Sequence, residues 1–190
     1  MSDDLLARLR RRDPEALASA VHEHARPLFR AARGLGFDDA GAEDLVQDVF
    51  VTFVERLEGF EGRSQLRTWL FGILHRKVQE RRRAFAQEGR ADPLDDVLES
   101  RFDLHGKWVR PPADLQRLFL SKELGQLIQG CMEGLPASQR EVFVLREVEG
   151  LETNEICGAL DVSVTNLGVL LFRARARLRE CLEKKGWSKR

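Results

Sequence analysis

The amino-acid sequence predicts an all-α protein of two small helical domains joined by a linker. Apolar residues recur at three- and four-residue intervals through most of the 190 residues, and no useful strand alternation occurs. The periodicity stops between two such blocks, in an acidic stretch with three prolines and two glycines. Charge is also blocked. Residues 1–60 carry 8 basic and 12 acidic side chains, 61–90 carry 8 and 3, 91–172 carry 7 and 14, and 173–190 carry 8 and 2. Two basic blocks on an acidic background are lost in the net charge of zero. A charge block is usually just a solvated face, so it matters here because each adjoins a particular helix.

In the first domain, 1–86, helical spacing runs over 13–32, 42–57 and 66–83. Asp13-Pro14 marks a start, with proline suited to the first helical position. "GLGFDDAG" and "GFEGRS" read as turns. On the 66–83 helix Leu66, Leu70, Ile73 and Leu74 share one face, while Thr68, Gly72, His75, Arg76, Gln79, Arg82 and Arg83 share the opposite one. Trp69 and Phe71 fall at the margins. This pattern fits an ordinary amphipathic helix, and it also fits a surface for single-stranded nucleic acid, which needs cations for phosphates and aromatic planes for bases.

The linker, 87–114, contains "RFDLHGKWVRPP". Phe102 and Trp108 are unusual in a solvated tether and are expected to dock between the domains, or else to cap the second core. The second domain, 115–190, shows helical spacing over 115–132, 138–148, 153–160 and 163–185, with Ser138 a candidate N-cap. A short helix, the tight "DVS" and a long helix make a helix-turn-helix pattern. On the long helix Val164, Leu167, Leu170, Leu171, Ala174, Leu178 and Leu182 form the expected core arc, held by Ile156 and Leu160. The other arc shows Thr165, Asn166, Gly168, Val169, Phe172, Arg173, Arg177 and Arg179.

Some classes of protein are not supported. No apolar run approaches the roughly 18 residues of a membrane span, and the acidic start lacks a secretory h-region. Three separated cysteines suggest a reducing cytosol rather than a disulfide framework, with Cys131 read as a packing residue. His22 and His24 are two apart, His75 and His105 are alone, and no CxxC occurs, so no metal site or other cofactor is expected. A metal hydrolase built on His22, His24 and His105 lacks HExxH, a nucleophile elbow or a phosphate loop. A stand-alone helix-turn-helix regulator is a second rival, but it leaves the basic face of the first domain without a purpose.

In order, "AEDLVQDVF", "RTWLFGILHRK", "LPASQREVFVLREVEGLETNEICGALDVS" and "LFRARARLRECL" resemble the extracytoplasmic-function sigma factors of bacterial RNA polymerase over about 10–83 and 115–183. The resemblance implies two domains, sigma regions 2 and 4. The first binds core RNA polymerase and melts the −10 element; the second reads the −35 duplex. It implies no catalytic residue. It implies polymerase contacts at Asp44, Gln47, Asp48 and Glu55, above a core of Leu45, Val49 and Phe53. It places single-strand contacts at Arg63, Ser64, Thr68, Trp69, His75, Arg76, Gln79, Arg82 and Arg83, with "FEGRSQ" receiving a flipped base. The −35 residues are Ser163, Thr165, Asn166, Gly168, Phe172, Arg173 and Arg177. A cytoplasmic protein held by an anti-sigma factor is also implied. Two features depart from the common pattern: Arg76 stands where many relatives have a small polar residue, and Gly168-Val169-Leu170 replaces a basic-polar tract.

Overall fold

The computed structural model describes residues 3–85 and 122–187. The chain is all-α, with no strand among the described residues. The first domain comprises α1 (Asp3–Arg10), α2 (Pro14–Gly34), α3 (Asp39–Glu55), a 3₁₀ turn (Leu57–Gly59) and α4 (Leu66–Phe85). The second comprises α5 (Lys122–Met132), α6 (Ala137–Phe143), a wide π turn (Val144–Val148), α7 (Thr153–Leu160) and α8 (Val164–Lys184). Phe102, Trp108 and His105 lie outside the described residues.

Local chemistry sets most of these boundaries. Asp13 caps α2 by accepting from the Glu15 N–H at 3.0 Å, and Pro14 follows without an orphan donor. Arg8 clamps the same Asp13 at 2.6 Å and holds its carboxyl below the ordinary range, turning α1 onto α2. Asp38 caps α3 through the Gly41 N–H at 2.8 Å. Ser163 caps α8 through the Asn166 N–H at 3.2 Å. Gly150, at φ +67°, ends the wide turn, and the Leu151 N–H closes back on the Leu145 carbonyl at 2.9 Å.

In the first domain α2, α3 and α4 pack together around Leu28, Leu45, Val49, Phe53, Leu70, Ile73 and Leu74, each at most 1% exposed. In the second, α8 is the spine against which α5, α6 and α7 pack. Both cores join into one buried cluster, because α4 lies on α7 and α2 meets the wide turn.

Several expectations are corrected. The sequence reading assigned no helix before residue 13, yet α1 forms and buries Leu9. α6 begins after Pro136, with no side-chain cap, so Ser138 lies within the helix rather than at its start. Val164, assigned to the core arc, is 58% exposed at the first turn of α8. Phe172, assigned to the exposed arc, is 5% exposed, and Ala176 one turn on is also buried. α8 is therefore covered on two sides, which a single apolar arc does not capture.

The cysteines also differ from expectation. Cys131 of α5 and Cys181 of α8 form a disulfide with Cα atoms 5.8 Å apart, leaving Cys157 free. Fifty residues separate the pair in sequence, and only the packing of α5 on α8 brings them together. Reduction should cost the second domain about 4 kcal/mol by loss of loop constraint. Urea unfolding with and without reductant measures this, and a Cys131→Ser/Cys181→Ser variant should not respond to reductant.

His24 on α2 is 8% exposed. Burial pushes its imidazole pKa down; the Glu23 charge opposes this and the Arg67 charge assists it. Because the fold favours the neutral ring, the unfolded chain takes up the proton first, near pH 6.5. Stability should therefore be complete above that pH and fall as acidification proceeds toward the lower folded pKa. Urea midpoints at pH 7.5 and 5.0 should differ less in His24→Gln than in wild type.

Candidate polymerase and nucleic-acid interface

The assigned residues occupy three surfaces. On α3, Leu45, Val49 and Phe53 turn inward with no exposure, so Asp44, Gln47 and Glu55 are left on the outer face. Asp48 is not an open group like these, because Arg81 Nη2 of α4 donates to its carboxylate at 2.7 Å. That pair ties α3 to α4. Val51, 57% exposed, adds an apolar point to the outward face.

The second surface lies where the 3₁₀ turn meets α4. Gly59, Phe60, Glu61, Arg63, Ser64 and Trp69 line an open recess of about 350 Å³, within the range of small-ligand sites, roughly 300–1,000 Å³. Gly62, at φ +73°, lets the loop turn over it. Trp69 stacks on Phe60 at 4.4 Å with the planes 14° apart, and meets the edge of Phe53 at 5.7 Å. One face of Trp69 is thus committed to the domain core while the residue still helps wall the recess. Arg63 pairs with Glu61 across the loop, and both Arg63 and Ser64 are exposed.

Four further residues of the predicted single-strand face are engaged within the chain. Thr68 is 6% exposed, and its hydroxyl donates to Glu155 Oε1 at 2.9 Å. His75 Nδ1 lies 2.7 Å from Glu141 Oε1, and Gln79 Nε2 is 3.5 Å from the other oxygen. Arg82 Nη2 donates to the Leu35 carbonyl at 3.3 Å. Arg76 and Arg83 remain exposed. Both carboxylates belong to the second domain, and the second domain was not predicted to cover α4.

Residues absent from the sequence assignment complete this junction. Arg30 of α2 donates through Nε and Nη2 to both oxygens of Glu149, at 2.7 Å each, and the Glu149 side chain has no exposure. Arg67 donates to the Glu149 carbonyl. Arg140 Nη1 donates to the same Leu35 carbonyl that Arg82 uses, at 3.2 Å. Burial, and then the charge of Arg82, lower the Arg140 pKa against the opposing charge of Glu133. Pairs separated by 119 residues carry no sequence signal in a single chain.

The third surface is the helix-turn-helix. α7 and α8 are bent by 100°, within the range of such pairs. Asp161 makes the corner in the left-handed region, φ 55°, which aspartate tolerates better than most residues. Ser163, Thr165, Asn166, Gly168 and Val169 are exposed over the first turns of α8. Phe172 is buried, which removes it from the base-reading set in this arrangement. Arg173 and Arg177 are half-buried further along α8, and Arg175 is tied to Glu147, with Nε donating at 3.0 Å.

The chain thus joins a helical domain bearing this recess to a helix-turn-helix domain. Residues 20–87 match Sigma-70 region 2, and 125–178 match Sigma-70, region 4. A probable RNA polymerase sigma factor of Haemophilus influenzae is 36% identical over 155 residues, covering 76% of this chain and 78% of that one. The ECF RNA polymerase sigma-E factor of Escherichia coli is 32% identical over 134 residues, covering 70% and 69%. Among solved structures, CnrH in complex with the cytosolic domain of CnrY superposes with TM-score 0.68 at 26% identity, covering 95% of this chain and 96% of that one. The sigma factor RpoE of Bartonella quintana, in complex with the anti-sigma factor NepR, shares the fold, with TM-score 0.65 at 23% identity over 87% and 96%. The chain belongs to the extracytoplasmic-function sigma factors, the transcription initiation factors of bacterial RNA polymerase. Among the described residues no single helix is long and apolar enough to cross a membrane.

Because Trp69 is stacked in the core, Trp69→Ala should destabilise the first domain by about 3 kcal/mol. Arg63→Ala and Ser64→Ala, on the exposed rim, should stay within about 0.5 kcal/mol of wild type. Urea titration followed by circular dichroism distinguishes these, and it makes the rim pair the cleaner probe of the recess.

Proposed function

We propose that residues 1–86 bind core polymerase and capture the opened −10 strand, that 115–190 read the −35 duplex, and that 87–114 join them. The observation that carries this reading is the recess between the 59–64 loop and Trp69. It is open to solvent, has an aromatic wall and an Arg63–Glu61 pair on its rim, and sits at the N-terminal end of α4, whose basic last turn lies about 20 Å further along the helix. A flipped base needs such a pocket to offset the few kcal/mol of unstacking and unpairing. Arg63, Ser64 and Trp69 would form the pocket, and Arg76 and Arg83 would follow the strand backbone. Thr68, His75 and Gln79 would join them only when the domains part, and Arg82 would have to leave the Leu35 carbonyl of its own domain.

On α3, exposed Asp44, Gln47 and Glu55 suit a basic, polar partner surface on polymerase, where complementary charge sets register and on-rate. On α8, Thr165 and Asn166 would face base edges and Arg173 and Arg177 phosphates. Exposed Gly168 and Val169 leave few polar base contacts, so close backbone approach and duplex shape would carry part of the selectivity. The likeness to CnrH and RpoE, both solved with partner proteins, supports control of this chain by an anti-sigma factor in the cytoplasm.

The test is in-vitro transcription with core polymerase. Adding the chain should produce transcripts from a discrete promoter set, and Arg63→Ala/Ser64→Ala should lose opening at duplex promoters while retaining polymerase binding. A pre-melted bubble should restore part of that loss. Arg173→Ala should weaken all promoters and reduce the salt slope by about one phosphate's share. Asn166→Ala should relax preference at one −35 position. Without promoter-specific transcripts the reading fails.

A further inference from the structure

The two sides of the recess are held in different ways. Trp69 belongs to α4, and its stacking on Phe60 at 4.4 Å fixes both rings in the core. The rim groups Glu61, Arg63 and Ser64 all lie on the loop that leaves Phe60. The direction of that loop is set by the Phe60 carbonyl peptide, which ring stacking does not fix. Arg10, the last residue of α1, does fix it: its Nε and Nη2 both donate to the Phe60 carbonyl, at 3.2 and 2.8 Å. The Phe60 N–H closes on the Leu57 carbonyl at 3.1 Å. The peptides on both sides of Phe60 are thus held, and the loop then turns over the recess through Gly62 at φ +73°. α1 is itself anchored, by Leu9 with no exposure and by Arg8 on Asp13 at 2.6 Å. Arg10 is exposed, so truncating it removes the grip on Phe60 without opening the core.

We propose that Arg10 is a positioning residue for the recess and, through it, a determinant of which base the recess accepts. It touches no strand in this role. It holds the Phe60–Glu61 peptide so that the rim groups stand at a fixed distance from Trp69. This rests on the proposed capture of a flipped base by the recess. A guanidinium suits the task because it is planar and offers adjacent donors, so two bonds together fix the direction of one carbonyl; an ammonium is a rotatable point charge. A pocket discriminates between bases only while its polar groups keep their places, and a displacement of about 1 Å is enough to lose that. Arg12 supplies an internal control. It pairs with Glu58 at 3.8 Å across the same contact between α1 and the 3₁₀ turn, but that pair ends ahead of Phe60.

The full chain with core polymerase tests this, by competed in-vitro transcription from promoters that differ at each −10 position in turn. At the captured position, Arg10→Ala should narrow the preference between the best and the worst base roughly fivefold, while the −35 preference stays as in wild type. Arg10→Lys keeps the positive charge but not the two-pronged grip, so its preference should narrow as well. Arg12→Ala should keep the wild-type preference. Because these side chains are exposed, the melting temperatures of all three variants should stay within about 4 °C of wild type.

A uniform loss at all promoters in Arg10→Ala overturns the proposal, because it marks a general role in folding or binding. Wild-type preference in Arg10→Lys overturns it too, because charge alone would then suffice, as in a direct phosphate contact. So does equal narrowing in Arg12→Ala, which would assign the effect to the docking of α1 as a whole. If Arg10→Ala melts outside that range, Arg10→Lys decides alone. Arg63→Ala/Ser64→Ala separates this failure from failure of the underlying reading. If the rim pair loses opening at duplex promoters while Arg10→Ala keeps the wild-type preference, Arg10 has no positioning role and the recess stands. If the rim pair is also without effect, the strand-capture reading itself is wrong.

Discussion

The two-domain arrangement turns on one buried carboxylate. Glu149 has no side-chain exposure, and burying an unpaired carboxylate costs several kcal/mol. Its bidentate partner, Arg30, is 119 residues away on α2, so Glu149 can be buried only when the domains close. The wide turn at Val144–Val148 and Gly150 position it there. The same turn places Val144 against Gly34, where any larger residue would intrude. Each domain alone is small enough to leave much of its apolar surface uncovered, and joining them lets a single core run through both.

Elements with strong local signals were legible. The core faces of α3 and α4 followed from three- and four-residue spacing, and Asp13-Pro14 marked the start of α2. α1 was missed because eight residues with three leucines among four charged groups look like a charged tail until Arg8 closes on Asp13. Phe172 was misplaced because a helical wheel assumes one buried side, whereas α8 is covered on two. The Cys131–Cys181 pair and the domain junction depend on packing between elements far apart in sequence, which one chain does not encode visibly. The polar face of α4 was recognised correctly as polar and basic. What contacts it in the free chain was not readable, because a carboxylate and a phosphate ask the same donors of that face.

Trp69 shows why the aromatic margin of α4 resisted a single reading. Its ring stacks on Phe60 and meets the edge of Phe53, so it belongs to the core by energy. It also walls the recess, so it belongs to the site by position. The two roles are compatible because core packing immobilises the ring, and a fixed wall costs no ordering entropy when a base arrives.

The junction combines an apolar core shared by both domains with charged and polar pairs at Glu141, Glu149 and Glu155. It also contains features that oppose closure. Arg82 and Arg140 converge on the Leu35 carbonyl, bringing like charges together, and buried Arg82 Nη1, Arg140 Nε and Arg140 Nη2 have no hydrogen-bond partner among the described residues. Each unmet buried donor costs on the order of 1–3 kcal/mol. The carboxylates Glu149, Glu141 and Glu155 thus favour the contact between the domains, and the arginine pair opposes it. Glu149, with no side-chain exposure, thus ties the wide turn of the second domain to α2 through Arg30 and to α4 through Arg67.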